Sequence, residues 1–277
     1  MTSSLNNTEP TSTLDINEPL VIRENRPDSS GVVTLTLNRP KQFNALSVEL
    51  LSAMQTELDN IAQDNSIQIV VIAANGKAFC AGHNLKEMRA NTDEAFHRAL
   101  FQQCSRMMLT INSMPQVVIA KVQGIATAAG CQLVAACDLA IASDNAKFAT
   151  SGINVGLFCS TPAVAVSRNL SRKQAFEMLI TGEFISACTA LQQGLINRVA
   201  PESQLDSTLQ TLINAITTKS SVAIRTGKGM FYKQLDMSLV DAYEYASEVM
   251  TCNMMADDVN EGIDAFIEKR DAVWKGC

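Results

Sequence analysis

Hydrophobic and polar residues follow two periods along the chain. Val32 to Leu37 is β-branched and partly alternating, and Asn38-Arg39-Pro40 closes it, which predicts a strand. From Ser47, the residues Leu50, Leu51, Met54, Leu58 and Ile61 recur at helical spacing and predict an amphipathic helix. Ile67 to Ala74 is a nearly continuous apolar run ended by Asn75-Gly76, the pattern of a strand buried on both faces. A second helix is expected from about Thr92, with Phe96, Leu100, Cys104, Met107 and Ile111 in line. Val117 to Val122 predicts another buried strand, followed by a helix of small residues from about Thr127 and a strand over Asp138 to Ala142.

Strands that alternate with helices imply an α/β core built on buried sheet. From about Glu202 the pattern turns helical, as in Asp257 to Trp274, where Ile263, Phe266, Ile267 and Val273 share a spacing. The expected division is a disordered N-terminal tail over 1–18, a core over 19–201 and a helical C-terminal region over 202–277. No internal repeat is visible in the sequence.

Composition narrows the function. The chain has 277 residues, 47% of them hydrophobic, so a sizeable core is expected. Its formal charge is -6, with 28 acidic against 22 basic residues, which argues against a nucleic-acid partner. The most apolar interior stretch, Val122 to Cys137, is shorter than the roughly 20 residues of a membrane span. There are 8 cysteines without a CxxC pair and only 2 histidines, His83 and His97. That leaves no zinc ligand set and no redox dithiol. The first 20 residues contain no Lys or Arg, which argues against a signal or transit peptide; a reducing, cytoplasmic setting is expected.

Two loops carry candidate chemistry. The first is Ala78 to Met88 and the second Gly124 to Gln132, each placed after a predicted strand. Small residues there let a ligand approach the main chain, and the second loop runs into a helix whose free N–H groups favour an anion. One N–H from each loop could hold a single oxygen, although the same small residues also suit close helix–sheet packing. No GxGxxG, GxxxxGK[ST], GxSxG or HExxH is present.

At these loops the sequence resembles the enoyl-CoA hydratase/isomerase (crotonase) family. The matching runs are Asn38-Arg39-Pro40 with Asn44-Ala45-Leu46, AFCAGHNLKEM (78–88), GIATAAGCQLVAACDLAIAS (124–143), KFATSGINVGL (147–157) and EGIDAFIEKR (261–270). They occur in family order from about residue 20 to the C-terminus. ATAAGCQLVAACD, FATSGINVGLFCSTP and FYKQL are similar to one branch of that family. The resemblance implies an α/β spiral of ββα turns with a helical C-terminal region, assembled as a homotrimer or hexamer. It implies an acyl-CoA or enoyl-CoA thioester as substrate or ligand, and no further cofactor or metal.

Residue by residue, the resemblance gives the oxyanion-holding backbone N–H groups to His83 and Ala129. It gives coenzyme A contacts to Lys41, the Ala81 backbone, His83 and, from a C-terminal helix that covers the cofactor of a neighbouring subunit, Phe266 and Lys269. The family's two catalytic glutamates fall at Gln132 and Gly152, and the usual aspartate of the first loop falls at Asn84. Water addition needs a group that takes a proton and one that gives one, and an amide does neither at any relevant pH. His83, Glu87, Cys131 and Cys159 lie near the expected site, but packing or solvent exposure accounts for each. Two readings follow: an enzyme of acyl-CoA metabolism that relies on enolate stabilisation, or a catalytically weak acyl-CoA-binding or regulatory homologue.

Overall fold

The structure is a computed structural model that describes residues 18–26 and 30–277. The expected N-terminal tail lies outside the described residues except for Glu18. Strands β1 (Val21–Asn25) and β2 (Val32–Leu37) lead, through a 3-10 turn at Pro40–Gln42, to α1 (Val48–Ala62). Then come β3 (Ile69–Ala74), β4 (Ala78–Cys80), α2 (Leu85–Ala90), α3 (Glu94–Ser113), β5 (Val117–Val122), β6 (Ile125–Thr127) and α4 (Ala129–Ala136). The third set is β7 (Leu139–Ser143), β8 (Lys147–Ala149), a 3-10 turn at Ser151–Val155, α5 (Ser160–Asn169) and α6 (Arg172–Thr181). The core ends with β9 (Ile185–Ser186), α7 (Ala187–Gln193), β10 (Arg198–Ala200) and α8 (Leu205–Thr217). Three further helices close the chain: α9 (Ser221–Gln234), α10 (Leu239–Met254) and α11 (Asp257–Glu268).

The strands form a six-stranded sheet, β1-β2-β3-β5-β7-β10, and a four-stranded sheet, β4-β6-β8-β9. The pairs β3/β4, β5/β6 and β7/β8 each put their first strand in the larger sheet and their second in the smaller, before a helix returns the chain. That is a spiral of ββα turns, although no sequence repeat announced it. Apart from the antiparallel pairs β1/β2 and β8/β9, the neighbours run parallel.

Burial on both faces explains the continuous apolar runs. Val70 and Ile72 of β3 pack inward with Leu50, Met54 and Leu58 of α1 and Met107 of α3. Ile69 and Val71, with the opposite pleat, pack outward with Ile119, Ile141 and Leu205, Leu209 and Ile213 of α8. Each such side chain removed from water stabilises the fold by roughly 1.5–3 kcal/mol. Ser47 caps α1 as its sequence position predicts, its side chain accepting from the Leu50 N–H at 3.2 Å.

Several boundaries differ from expectation. Thr127 ends β6 instead of opening a helix, and α4 begins at Ala129, after Ala128 at φ 50 and ψ -121. α11 stops at Glu268 because Lys269 turns left-handed at φ 58, so Val273 lies beyond the helix. α3 begins at Glu94, with Asp93 as its cap.

Candidate active site

The first loop leaves β4 at Cys80 and is pinned to the turn before α1. The Ala81 N–H donates to Phe43 O at 3.0 Å, the Leu46 N–H to Gly82 O at 2.7 Å and the Asn84 N–H to Leu46 O at 3.2 Å. Leu46 therefore pairs with the residues on either side of His83. The His83 N–H has no acceptor among the described residues.

The second loop lies directly against it. Gly82 sits at φ +90, and a Cβ there would come within 2.8 Å of Ala128 Cβ, 3.1 Å of Thr127 O and 3.2 Å of Ala129 N. Only glycine meets both demands. Ala128 is held in a region that L residues rarely enter, its N–H bonded to Ala149 O at 3.0 Å. This strained residue delivers the chain to Ala129, the first residue of α4, whose N–H has no intrahelical acceptor. Two unbonded donors from abutting loops, at a helix N-terminus, can hold one oxygen that gains negative charge.

The side chains of the first loop are otherwise engaged. The His83 ring packs edge-on against Phe101 at 5.4 Å, and burial pushes its pKa from 6.5 down to about 4. Such an imidazole stays neutral at ordinary pH. Asn84 caps α2, accepting from the N–H groups of Lys86 at 3.1 Å and Glu87 at 3.3 Å, so an amide fills the cap as well as an aspartate would. Glu87 accepts from the Val48 N–H at 3.2 Å and spends its charge at the start of α1. Cys131 is buried with its thiol pushed up to about 12, and burial raises Cys159 as well.

Gln132 lies one turn beyond Ala129 on α4 and is only 4% exposed. Its Oε1 is sealed from solvent without a donor. Gly152 lies in the 3-10 turn after β8, where a Cβ would meet Leu157 O at 2.6 Å and Cys159 Sγ at 2.8 Å. The obstacle to a side chain there is space, since its φ is outside the left-handed region. Thr127 Oγ1 and Ser151 Oγ, 2.7 Å apart, tie this turn to the second loop.

Lys41 lies in the Pro40–Gln42 turn, which the Ala81–Phe43 hydrogen bond joins to the first loop. Phe266 and Lys269 are not gathered with these residues. Phe266 is 85% exposed on α11, beside a groove shared with Ala223, Ile263 and Trp274, and Lys269 ends the same helix. Sequence reading missed one buried group altogether. Lys228 of α9 donates to Ile111 O at 2.8 Å, Gln116 O at 2.7 Å and Asp138 Oδ2 at 2.7 Å. Burial pushes Asp138 up and Lys228 down, and the pair's attraction opposes both shifts. The signal available was a lysine on an otherwise ordinary helix, which looks like any solvated one. Among the described residues no cluster of three or more His, Cys, Asp or Glu is placed to hold a metal ion, and no helix is long and apolar enough to cross a membrane.

With that spiral and those abutting loops in place, comparison with known proteins defines the class. The model of the enoyl-CoA hydratase/isomerase family matches residues 28–277, and the chain belongs to that family. Within it, the similarity extends to enoyl-CoA hydratase domain-containing protein 3. The mitochondrial protein of that name from Xenopus laevis is 46% identical over 244 residues, 88% of this chain and 83% of the relative. The crystal structure of the human domain-containing protein 3 superposes with a TM-score of 0.89 at 43% identity, covering 92% of this chain and 100% of that one. An enoyl-CoA hydratase structure from Mycobacterium smegmatis superposes at 0.91 with 52% identity, covering 93% and 99%.

These names correct the cytoplasmic expectation. The Xenopus relative and those from rat, mouse and human are all named as mitochondrial. Unpaired thiols suit any reducing compartment, so they never discriminated between the two.

Proposed function

We propose that the chain binds acyl- and enoyl-CoA thioesters, with the thioester oxygen on the His83 and Ala129 N–H groups, and hydrates enoyl-CoA weakly. The observation that carries this is the contact at Gly82, which presses two loops together with one unbonded N–H on each. Such a pair stabilises an enolate, the species shared by additions to and proton transfers from a thioester's α-carbon. Lys41 supplies a cation for the coenzyme A phosphates, from a turn bonded to the same loop. The shortage lies in proton transfer. Gln132 is an amide, Gly152 has no room for a side chain, Glu87 is committed to α1, and His83 is half-buried and neutral.

The reading extends to assembly and place. Phe266 is exposed beside a groove that contains no residue of the two site loops, which supports a trimer or hexamer in which it and Lys269 cover a neighbour's coenzyme A. The relatives' names support a mitochondrial setting. Calorimetry with butyryl-CoA should show binding that Lys41→Ala weakens, whereas no heat and no thermal shift at millimolar ligand would reject it. Crotonyl-CoA hydration should stay near background, and turnover on the order of 10 s⁻¹ would reject the weak-catalyst part. Light scattering should return a trimer or hexamer.

A further inference from the structure

Gln132 is the one buried polar side chain of α4, and it makes no hydrogen bond within the described protein. Its two amide atoms differ in a telling way. Oε1 is sealed, whereas Nε2 is neither sealed nor hydrogen-bonded, so the 4% of Gln132 that remains exposed includes a free donor. Helical side chains lean toward the helix N-terminus, over the residues three and four positions earlier. For Gln132 those are Ala129 and Ala128, the residues that define the second loop's N–H. An unpaired buried polar atom costs on the order of 1–3 kcal/mol, and Nε2 is the amide atom left within reach of a ligand.

We propose that Gln132 selects thioesters that carry an oxygen acceptor on C3, and that the preferred ligand class is the 3-oxoacyl-CoA thioester. This rests on the coenzyme A reading above and names its substrate class. The His83 and Ala129 N–H groups take the C1 oxygen, and Gln132 Nε2 donates to the C3 oxygen two carbons away. A carboxylate at 132 would set negative charge against that oxygen and offer it no proton at neutral pH. The neutral amide reverses the preference. The sealed Oε1 leaves a C3 hydroxyl with a donor, Nε2, for its lone pair but no acceptor for its proton, so the hydroxyl gains less than the ketone.

The test compares three four-carbon thioesters by calorimetry on the full-length chain: butyryl-CoA, 3-hydroxybutyryl-CoA and acetoacetyl-CoA. Acetoacetyl-CoA should bind about fivefold tighter than butyryl-CoA or better, the worth of one net hydrogen bond. In Gln132→Glu the ratio should fall below one. Equal affinities for acetoacetyl-CoA and butyryl-CoA overturn the selection while leaving coenzyme A binding intact. Tighter binding of 3-hydroxybutyryl-CoA than of acetoacetyl-CoA overturns it too, because Oε1 would then be the atom that meets the ligand. Binding of none of the three rejects the coenzyme A reading itself. Should Gln132→Glu melt before ligand is added, the comparison of the three ligands on the natural protein decides alone.

Discussion

The spiral and the C-terminal helices are held by opposite means. In the spiral, the larger sheet is buried on both faces, and α1, α3 and α4 each bury a row of apolar side chains. α10 buries no residue, α9 only Lys228, and α11 only Asp258 and Ala265. What fixes these helices is polar. Lys228 reaches into the core, Asp258 accepts from Ser220 Oγ at 2.6 Å and the Lys275 N–H at 2.7 Å, and Trp274 Nε1 donates to Thr218 O at 2.8 Å. Leu239, Val240, Tyr243, Met250 and Ile267 stay exposed. Helices that leave so much apolar surface uncovered are completed by another surface, which supports the proposed trimer. The lesson is that directional bonds set where these helices sit, while their apolar faces stay unburied within the chain.

The largest expected effect breaks that polar anchor. Lys228→Met leaves the Asp138 carboxylate, 2.6 Å from the Val118 N–H, and two carbonyls without their shared partner. Removing one member of a buried pair costs about 3–5 kcal/mol. Hydrogen exchange should show the loss first in α9 to α11, with β3 and β5 protected until global unfolding. Equal loss in both regions would mean that the anchor belongs to the core rather than to the helices.

That contrast also explains what the sequence made legible. β3 and β5 read as strands because burial on both faces writes continuous apolar runs, and α1 because one face alone is buried. β4, β6 and β8, of three residues each, are too short for any period, so the second sheet went unread. The late start of α4 depends on a backbone conformation at Ala128 that propensity does not encode. The two site loops were visible as motifs. Their contact through Gly82, the closed space at Gly152 and the sealed side of Gln132 are tertiary facts that composition and spacing do not carry.

A second expectation concerns acid. His83 binds its proton less readily folded than unfolded, with a pKa near 4 against 6.5. The unfolded state then holds more protons between those values, so stability falls as pH drops through that window. A shift of this size is worth on the order of 2–3 kcal/mol. Chemical denaturation from pH 7 to 4 should show the decline, and His83→Phe should flatten it. An unchanged slope in the variant would place the acid sensitivity on groups other than His83.

Gly152→Ala probes the other side of the site. Its new Cβ would stand 2.6 Å from Leu157 O, a backbone atom that yields only if the 3-10 turn moves. Overpacking of this kind costs typically 1–3 kcal/mol. The melting temperature should drop, and Cys159→Ala should restore only part of it, because the thiol is the lesser obstacle. The consequence for catalysis is direct. Gln132→Glu with Gly152→Glu would install both carboxylates, but the second also displaces Leu157, so crotonyl-CoA hydration should rise above background without approaching ordinary enzyme rates.

The smallest effect is a count, and it separates the two regions once more. Cys80, Cys104, Cys131, Cys137 and Cys159 are buried in the spiral, while Cys188, Cys252 and Cys277 are exposed. Burial pushes Cys80, Cys104 and Cys131 from 9.0 up to about 12, so at pH 8 their thiolate fraction is about a thousandfold below that of an ordinary thiol. A thiol reagent at pH 8 should therefore modify no more than three sites in the folded protein and all eight after denaturation. Cys252 lies on α10, the helix that buries nothing within its own chain. If assembly covers that helix, its labelling should slow as protein concentration rises, while Cys188 on α7 keeps its rate. Rapid labelling of any of the five core thiols would show that the spiral opens more readily than its packing implies. A concentration-independent rate at Cys252 would take α10 out of the subunit interface.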